Sequence, residues 1–312
     1  MAAQPGKLLV SYCRRSGELT NSLVAIAVMF LWAICFPLLT VGLEYSSPLL
    51  FATLRASIAG IFLVLLGGLL KKPPIRGYSN WLSIVFVGFT ATSLGFWGMF
   101  HAASLVSPGL ATVLTNAQPL IAVPFAWVFL AERPKRIAIS GIALGFFGIV
   151  IISADSIAGR GDTVLKGFIY ILVAATGIAI SNIILKKMSG KVDRYYAMGW
   201  QLLIGAVPLG VMSFWIEFPP QLEVTPGFVL SLMAVSLFGT SLVFVLWFWL
   251  LDRMPLYRAN AYSFLTPVLG MVLGATFYSE SFSVIKLAGI ITIIAGIYLV
   301  NTKPNLPVVH RV

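Results

Sequence analysis

The side chains that could do acid–base, nucleophilic or metal chemistry are few in this sequence. The chain has two histidines, His101 and His310, and two cysteines, Cys13 and Cys35. None of its ten carboxylic acids lies near the middle of an apolar run. An enzyme would need a nucleophile beside a base, a cluster of metal ligands or paired buried carboxylates. The sequence therefore predicts no enzyme, no metal and no cofactor.

Polar side chains inside the apolar runs are better candidates for binding a small molecule. Asn116, Gln118 and Asn182 carry amides where water is scarce, so each must find a hydrogen-bond partner in a ligand or in a neighbouring helix. Arg55 lies roughly 13 Å into its run, where a charge is costly unless it is paired. It either contacts a ligand carboxylate or forms a structural tie to Glu44 or to carbonyls at a helix end.

Composition identifies a membrane protein. Only 10% of the 312 residues are charged, 59% are apolar, and the mean hydropathy is +0.97, whereas a soluble protein of this size needs far more polar surface. Apolar runs of about 17–25 residues match the length that crosses a bilayer as an α-helix. We predict an all-α polytopic protein with ten spans, numbered 1 to 10 in chain order: 22–43, 47–70, 80–101, 107–130, 137–154, 165–187, 195–215, 227–251, 258–278 and 284–301.

An internal duplication organises these spans. Shifting the sequence by 148 residues without a gap places Pro119 on Pro267, Glu132 on Glu280, Gly141 on Gly289 and Gly148 on Gly296. Aliphatic matches are common in membrane proteins, but proline, glutamate and two glycines in one register are not. We predict two five-span repeats, residues 22–154 and 165–301, joined by a periplasmic linker at 155–164 and flanked by cytoplasmic tails at 1–21 and 302–312.

The basic residues predict how the repeats are oriented. The net charge of +11 could suggest nucleic acid, but the lysines and arginines lie in short loops. With both termini in the cytoplasm, 17 of the 21 fall in cytoplasmic segments, three fall outside and Arg55 lies within a span. Such a bias is typical of membrane orientation. Because each repeat has an odd number of spans, the second repeat must be inverted, and inverted repeats place a substrate site between the halves, near the midplane.

The repeated motif resembles a known family. Both halves carry Ala-x7-Pro, a glutamate thirteen residues after the proline, and then Gly-x6-Gly; Leu54-Arg55 and Phe30-Leu31-Trp32 add to the similarity. This pattern resembles the drug/metabolite transporter superfamily, in particular its ten-helix EamA-type branch, over residues 22–301. The resemblance implies a bacterial inner-membrane exporter of amino acids or other small metabolites, and one subgroup exports aromatic amino acids.

The resemblance also implies which spans form the binding site. Spans 1, 3, 4, 6, 8 and 9 are expected to line a cavity, with spans 5 and 10 behind them. Aromatic rings on the lining spans would suit a bulky apolar solute, although aromatic residues in membranes also face lipid. His101 is either an interfacial hydrogen-bonding residue or a gating or protonation site. The candidate substrate-binding residues are Trp32, Phe36, Trp97, His101, Asn116, Gln118, Asn182, Trp247, Tyr262 and Phe264.

A second group of residues is expected to be structural. The glutamate of each repeat precedes a span and is expected to cap it, since acids are favoured at helix N-termini. The glycines let helix backbones approach closely, and the prolines are expected to free a carbonyl in the middle of spans 4 and 9. The structural residues are Arg55, Pro119, Glu132, Gly141, Gly148, Pro267, Glu280, Gly289 and Gly296.

These patterns favour a secondary transporter over other classes of protein. We expect export of a neutral or zwitterionic metabolite, plausibly a hydrophobic or aromatic amino acid, by alternating access. The main alternative is a carrier of phosphorylated sugars or nucleotide-sugars, which needs cavity lysines or arginines; a membrane-embedded enzyme or a non-transporting scaffold is a remote one. The expected partners are the small-molecule substrate and the lipid bilayer, with no nucleic acid, and the protein is expected to act as a monomer.

Overall fold

The structure is a computed structural model that describes residues 5–103, 105, 115–153, 162–278 and 283–302. Within these ranges the chain is all-helical, and the only β-type pairing is an isolated antiparallel bridge between Ser46 and Leu222. Eight of the described helices are long and apolar enough to cross a membrane, and a ninth, Gln118–Leu130, is apolar but shorter. The helical class predicted from the sequence is therefore confirmed.

The described helices overlap the predicted spans and depart from them in three ways. Span 9 is made of two helices, α11 and α12, separated at Ser263 and Phe264, and α1 extends back from span 1 to Pro5. Spans 3 and 8 each contain a π-helical segment, which we name π1 and π2. The elements are α1 (Pro5–Leu43), α2 (Pro48–Leu69), α3 (Tyr78–Val87), π1 (Gly88–Leu94), α4 (Gly95–Ala103), α5 (Gln118–Leu130), α6 (Arg136–Ser153), α7 (Asp162–Met188), α8 (Arg194–Ile216), α9 (Pro226–Ser236), π2 (Leu237–Leu242), α10 (Val243–Arg253), α11 (Leu256–Tyr262), α12 (Leu265–Tyr278) and α13 (Val284–Asn301).

Glycines bring α6 and α13 into direct backbone contact. A Cβ atom added to Gly148 would lie 2.8 Å from the carbonyl oxygen of Gly289, and one added to Gly296 would lie 2.6 Å from that of Gly141. Because the end of α6 lies beside the start of α13, and the reverse, the two helices are antiparallel. Lipid supplies no hydrophobic drive between helices, so close backbone packing of this kind stabilises their association.

The same arrangement joins α2 to α8. A Cβ atom on Gly60 would lie 2.9 Å from the Gly199 carbonyl oxygen, and one on Gly199 would lie 3.1 Å from that of Gly60. Farther along, Gly67 lies beside Tyr195, so this pair is also antiparallel. Each of the two pairs takes one helix from each predicted repeat: spans 5 and 10 in one, spans 2 and 7 in the other.

The remaining contacts also come in matched sets. Helix α5 packs against α7, and α12 packs against α1; π1 packs against α8, and π2 packs against α2. Likewise α4 contacts α7, while α9 and α10 contact α1. Exchanging the two repeats converts each contact into its partner. Each of these contacts therefore joins a helix of one predicted repeat to a helix of the other.

Candidate functional site

An aromatic and amide contact joins three of the spans expected to line a cavity. The rings of Trp32 in α1 and Trp247 in α10 have centroids 5.6 Å apart and are tilted by 47°. The indole Nε1–H of Trp247 donates to Oδ1 of Asn182 in α7 at 2.9 Å. Trp247 and Asn182 are both buried. Since the only polar atom of Trp247 is satisfied, its ring offers an apolar face, while the Asn182 amide nitrogen is the donor this group can still offer.

A second aromatic cluster lies between α4 and α7. The rings of Trp97, His101 and Tyr170 lie 5.0–5.6 Å apart, centroid to centroid. The Nε1–H of Trp97 is buried and has no hydrogen-bond partner among the described residues. An unpaired buried donor costs about 1–3 kcal/mol, so a ligand oxygen that reached it would gain that amount. The sequence does not predict Tyr170 as a site residue, because no spacing within span 6 distinguishes it from an aromatic residue that faces lipid.

The amides of span 4 lie at the start of α5. Asn116 is buried in the turn before α5, and Gln118 is the first residue of α5. The Nε2 group of Gln118 is buried without a hydrogen-bond partner in the described part of the chain. It is therefore a donor that a ligand would satisfy.

The two repeat prolines lie at helix starts, in the middle of their predicted spans. Pro119 lies in the first turn of α5, and Pro267 lies in the first turn of α12. A first-turn residue needs no N–H partner within its helix, which is why proline is favoured there. Two helices thus begin inside spans 4 and 9, and discontinuous membrane helices are a common way to expose backbone groups to a bound solute.

The remaining aromatic candidates make packing contacts. Tyr262 is buried and its hydroxyl donates to Oγ of Ser22 at 2.8 Å. Phe264 is fully buried, with its ring against Gly145 of α6, where a Cβ would lie 2.5 Å from Phe264 Cδ2. The structure therefore directs Phe264 towards span 5 rather than towards the other candidates. The side chain of Phe36 lies outside the described residues.

Arg55 is held by π2, and this corrects the expected partners Glu44 and the helix-end carbonyls. Its Nε donates to Oγ1 of Thr240 at 2.7 Å and its Nη2 to the carbonyl oxygen of Gly239 at 3.3 Å. Its guanidinium also lies 5.1 Å from the ring centroid of Phe96. A π-helical turn leaves backbone carbonyls without their usual partners in the middle of a span, and periodicity does not predict where such a turn occurs.

Two polar joints of the same construction connect the repeats. In the first joint, Thr92 of π1 donates to Gln201 of α8 at 2.9 Å, and Ser93 donates to the carbonyl of Gly205 at 2.8 Å. In the second joint, Thr240 accepts from Arg55, and Ser241 of π2 donates to the carbonyl of Ala59 at 3.2 Å. The 148-residue shift carries Thr92-Ser93 onto Thr240-Ser241. The sequence held this signal, since both π segments contain Thr-Ser-Leu in one register.

Glu132 caps a different helix from the one expected. Its carboxylate accepts from the backbone N–H groups of Leu256 at 2.9 Å and Tyr257 at 3.4 Å, at the start of α11. Helix α6 begins only at Arg136, so Glu132 lies too far ahead of it to cap it, whereas the first N–H groups of α11 need acceptors. The repeat partner Glu280 lies outside the described residues.

Other polar contacts fasten helix ends between the halves. Glu217, after α8, accepts from the N–H groups of Leu49 at 2.7 Å and Leu50 at 3.1 Å, at the start of α2. The ammonium of Lys186 donates to the carbonyls of Leu251 and Met254 at the end of α10.

Within the described residues no group of three or more His, Cys, Asp or Glu side chains could hold a metal. Described polar groups near the middle of the spans include amides, hydroxyls, indoles and the guanidinium of Arg55, all of which can bind a solute.

Comparison with known proteins identifies the family. A model of the EamA-like transporter family matches residues 20–154 and again residues 165–302. The uncharacterized transporter YvbV of Bacillus subtilis is 30% identical over 284 residues, which cover 91% of this chain and 92% of the relative. Proteins named probable amino-acid metabolite efflux pump in Salmonella typhimurium and Escherichia coli are 28% and 27% identical, over 89% of this chain and 94% of each relative.

A solved structure shares the fold. It superposes with a TM-score of 0.78 at 17% identity, over 90% of this chain and 96% of that chain. The resemblance seen in the repeated Pro, Glu and Gly motif is thus confirmed. The chain is a multi-pass membrane protein that belongs to the EamA-like transporter family.

Proposed function

We propose that the protein is a secondary transporter of the bacterial inner membrane that exports a small neutral or zwitterionic metabolite. The observation that carries this proposal is the contact of Trp32, Trp247 and Asn182, because it joins span 1 of the first repeat to spans 6 and 8 of the second. A solute bound there would touch both halves at once. Rocking of the halves about that solute would open it to one face of the membrane and then to the other.

The topology behind this mechanism has ten spans, with both termini in the cytoplasm and the second repeat inverted. Two kinds of observation support it: the bias of basic residues, and the antiparallel pairing of α2 with α8 and of α6 with α13. A repeat related to its copy by an axis in the membrane plane brings equivalent helices together in opposite directions. A protease site inserted between Ala131 and Arg136 should be cleaved only from the cytoplasmic side, and cleavage from the periplasm would refute the orientation.

The substrate class we favour is hydrophobic or aromatic amino acids. Support comes from the aromatic rings on α1, α4, α7 and α10, from the unpaired donors of Trp97 and Gln118, and from the efflux-pump names of two relatives. A bulky apolar side chain would pack on the rings, and the ammonium and carboxylate of an amino acid would supply hydrogen-bond partners.

Transport by purified protein in liposomes tests the proposal. Uptake of labelled tryptophan, phenylalanine, threonine and a sugar phosphate would be measured with and without an imposed proton gradient. We expect saturable transport of an amino acid, strongest for the aromatic ones. Transport of the sugar phosphate alone would replace this proposal with a carrier of phosphorylated sugars, and the gradient arm would show whether transport is coupled to protons.

A further inference from the structure

The two polar joints differ in charge although they share their construction. Gln201, in the first joint, is a neutral amide that is only 1% exposed, and it is sufficient to hold Thr92 of π1. Arg55 occupies the equivalent place in the second joint. Holding a π segment on its partner helix therefore does not require a positive charge. The charge of Arg55 needs another explanation.

The positive charge of Arg55 is buried without an anion. The side chain is 7% exposed, and its two hydrogen-bond acceptors, the hydroxyl of Thr240 and the carbonyl of Gly239, are both neutral. No carboxylate among the described residues pairs with it. A buried charge is costly unless an opposite charge compensates it, and arginine keeps its proton even when buried. The site therefore favours the arrival of an anion.

The surroundings of the guanidinium place it among spans expected to line the cavity. Phe96, whose ring lies beneath it, belongs to span 3, and Gly239 and Thr240 belong to span 8. The thiol of Cys35 in span 1 lies against Gly239, since a Cβ on that glycine would lie 2.0 Å from the sulfur. Arginine has five N–H donors, and the two described bonds use two of them. No described residue accepts a hydrogen bond from the other three.

We propose that Arg55 recognises the carboxylate of the exported substrate. This inference rests on the proposed transport of amino acids and names the group that selects them. A guanidinium binds a carboxylate through two parallel N–H···O bonds, which fixes the orientation of the ligand as well as neutralising its charge. The bonds to Thr240 and Gly239 hold the guanidinium in place between transport cycles.

The test compares ligands that differ only in this group. Binding of phenylalanine, tryptophan and threonine, each paired with its carboxamide, would be measured by calorimetry on the purified full-length protein. The variants are Arg55→Gln, which reproduces the neutral first joint, and Arg55→Lys. The lysine keeps the positive charge but cannot form two parallel N–H···O bonds to one carboxylate. Gln201→Ala is the matched control, because it weakens the first joint without changing charge. Melting temperature would be recorded for every variant as a check on folding.

We expect the wild type to prefer the acid over its carboxamide by roughly 10- to 100-fold, the worth of a charge-assisted bond pair. Arg55→Gln should remove most of this preference, Arg55→Lys should retain part of it, and Gln201→Ala should keep it in full. If Arg55→Gln keeps the preference, or weakens the acid and the carboxamide equally, Arg55 is purely structural and the inference is wrong. If the wild type binds no amino acid, the proposed function fails, and this inference fails with it.

Discussion

The contact between α6 and α13 gives a quantitative prediction for Gly148→Ala. The new Cβ would lie 2.7 Å from Cγ1 of Ile293, 2.8 Å from the carbonyl oxygen of Gly289 and 2.9 Å from the backbone nitrogen of Ile293. The Ile293 side chain can rotate away, but the two backbone atoms cannot. The helices must therefore separate by about 0.5 Å, and a gap of that size forfeits about a quarter of the dispersion energy along the contact.

The expected loss is about 1–3 kcal/mol, the usual cost of overpacking. The assay is thermal unfolding in mild detergent, followed by size-exclusion chromatography with fluorescence detection. We expect the melting temperature to fall by roughly 2–10 °C. Gly148→Leu should lower the melting temperature further and also lower the yield of folded protein. The matched control is Gly270→Ala in α12, where an added Cβ meets no described atom within 4 Å. That change should be neutral or stabilising by about 0.5–1 kcal/mol. Gly148→Ala melting at or above the temperature of Gly270→Ala would refute the close-packing argument.

Three further predictions concern the polar groups of the site and the helix ends. Asn116→Ala and Gln118→Ala should lower transport at unchanged folded yield, as measured in liposomes at matched protein; an equal fall in yield would show that the amides are structural. Trp247→Phe and Asn182→Ala remove the two ends of one hydrogen bond, so their effects on transport should be less than additive in the double variant, whereas full additivity would mean that the bond is unimportant. Glu132→Ala leaves the first N–H groups of α11 unpaired and should lower stability by about 0.5–2 kcal/mol, seen as a lower melting temperature; no change would mean that water caps α11 equally well.

The helices, and a close backbone approach at the repeated glycines, could be anticipated from the sequence because they depend on local composition. Apolar length places a span, and glycines in a repeated register indicate where two backbones meet, as at Gly148 and Gly296. Both signals are read within one helix or one repeat. The all-helical class and the family follow from them without any knowledge of side-chain contacts.

The partners of individual polar residues could not be anticipated, because they depend on which helix ends come together. The sequence predicts that Glu132 caps the helix that follows it, yet the bundle brings it to α11, more than a hundred residues away. For Arg55 the sequence leaves open a ligand carboxylate, Glu44 or carbonyls at a helix end, whereas π2 supplies the acceptors in the structure. The π segments themselves leave no trace in hydrophobic periodicity. Only the repeated Thr-Ser-Leu could have indicated that Thr92 and Thr240 both form hydrogen bonds between the repeats.

The pairing of α6 with α13 also bears on how the chain is made. Gly148 and Gly289 touch in the finished protein but are about 140 residues apart in the chain, which makes this a contact of high contact order. At about 5–20 residues per second of synthesis, α6 leaves the ribosome roughly 7–28 s before its partner exists. During that interval the glycines of α6 face lipid or another protein segment. Helix α13, which is synthesised after the other described helices, therefore completes the packing of the first half, so a truncation that removes α13 should leave that half unfinished as well.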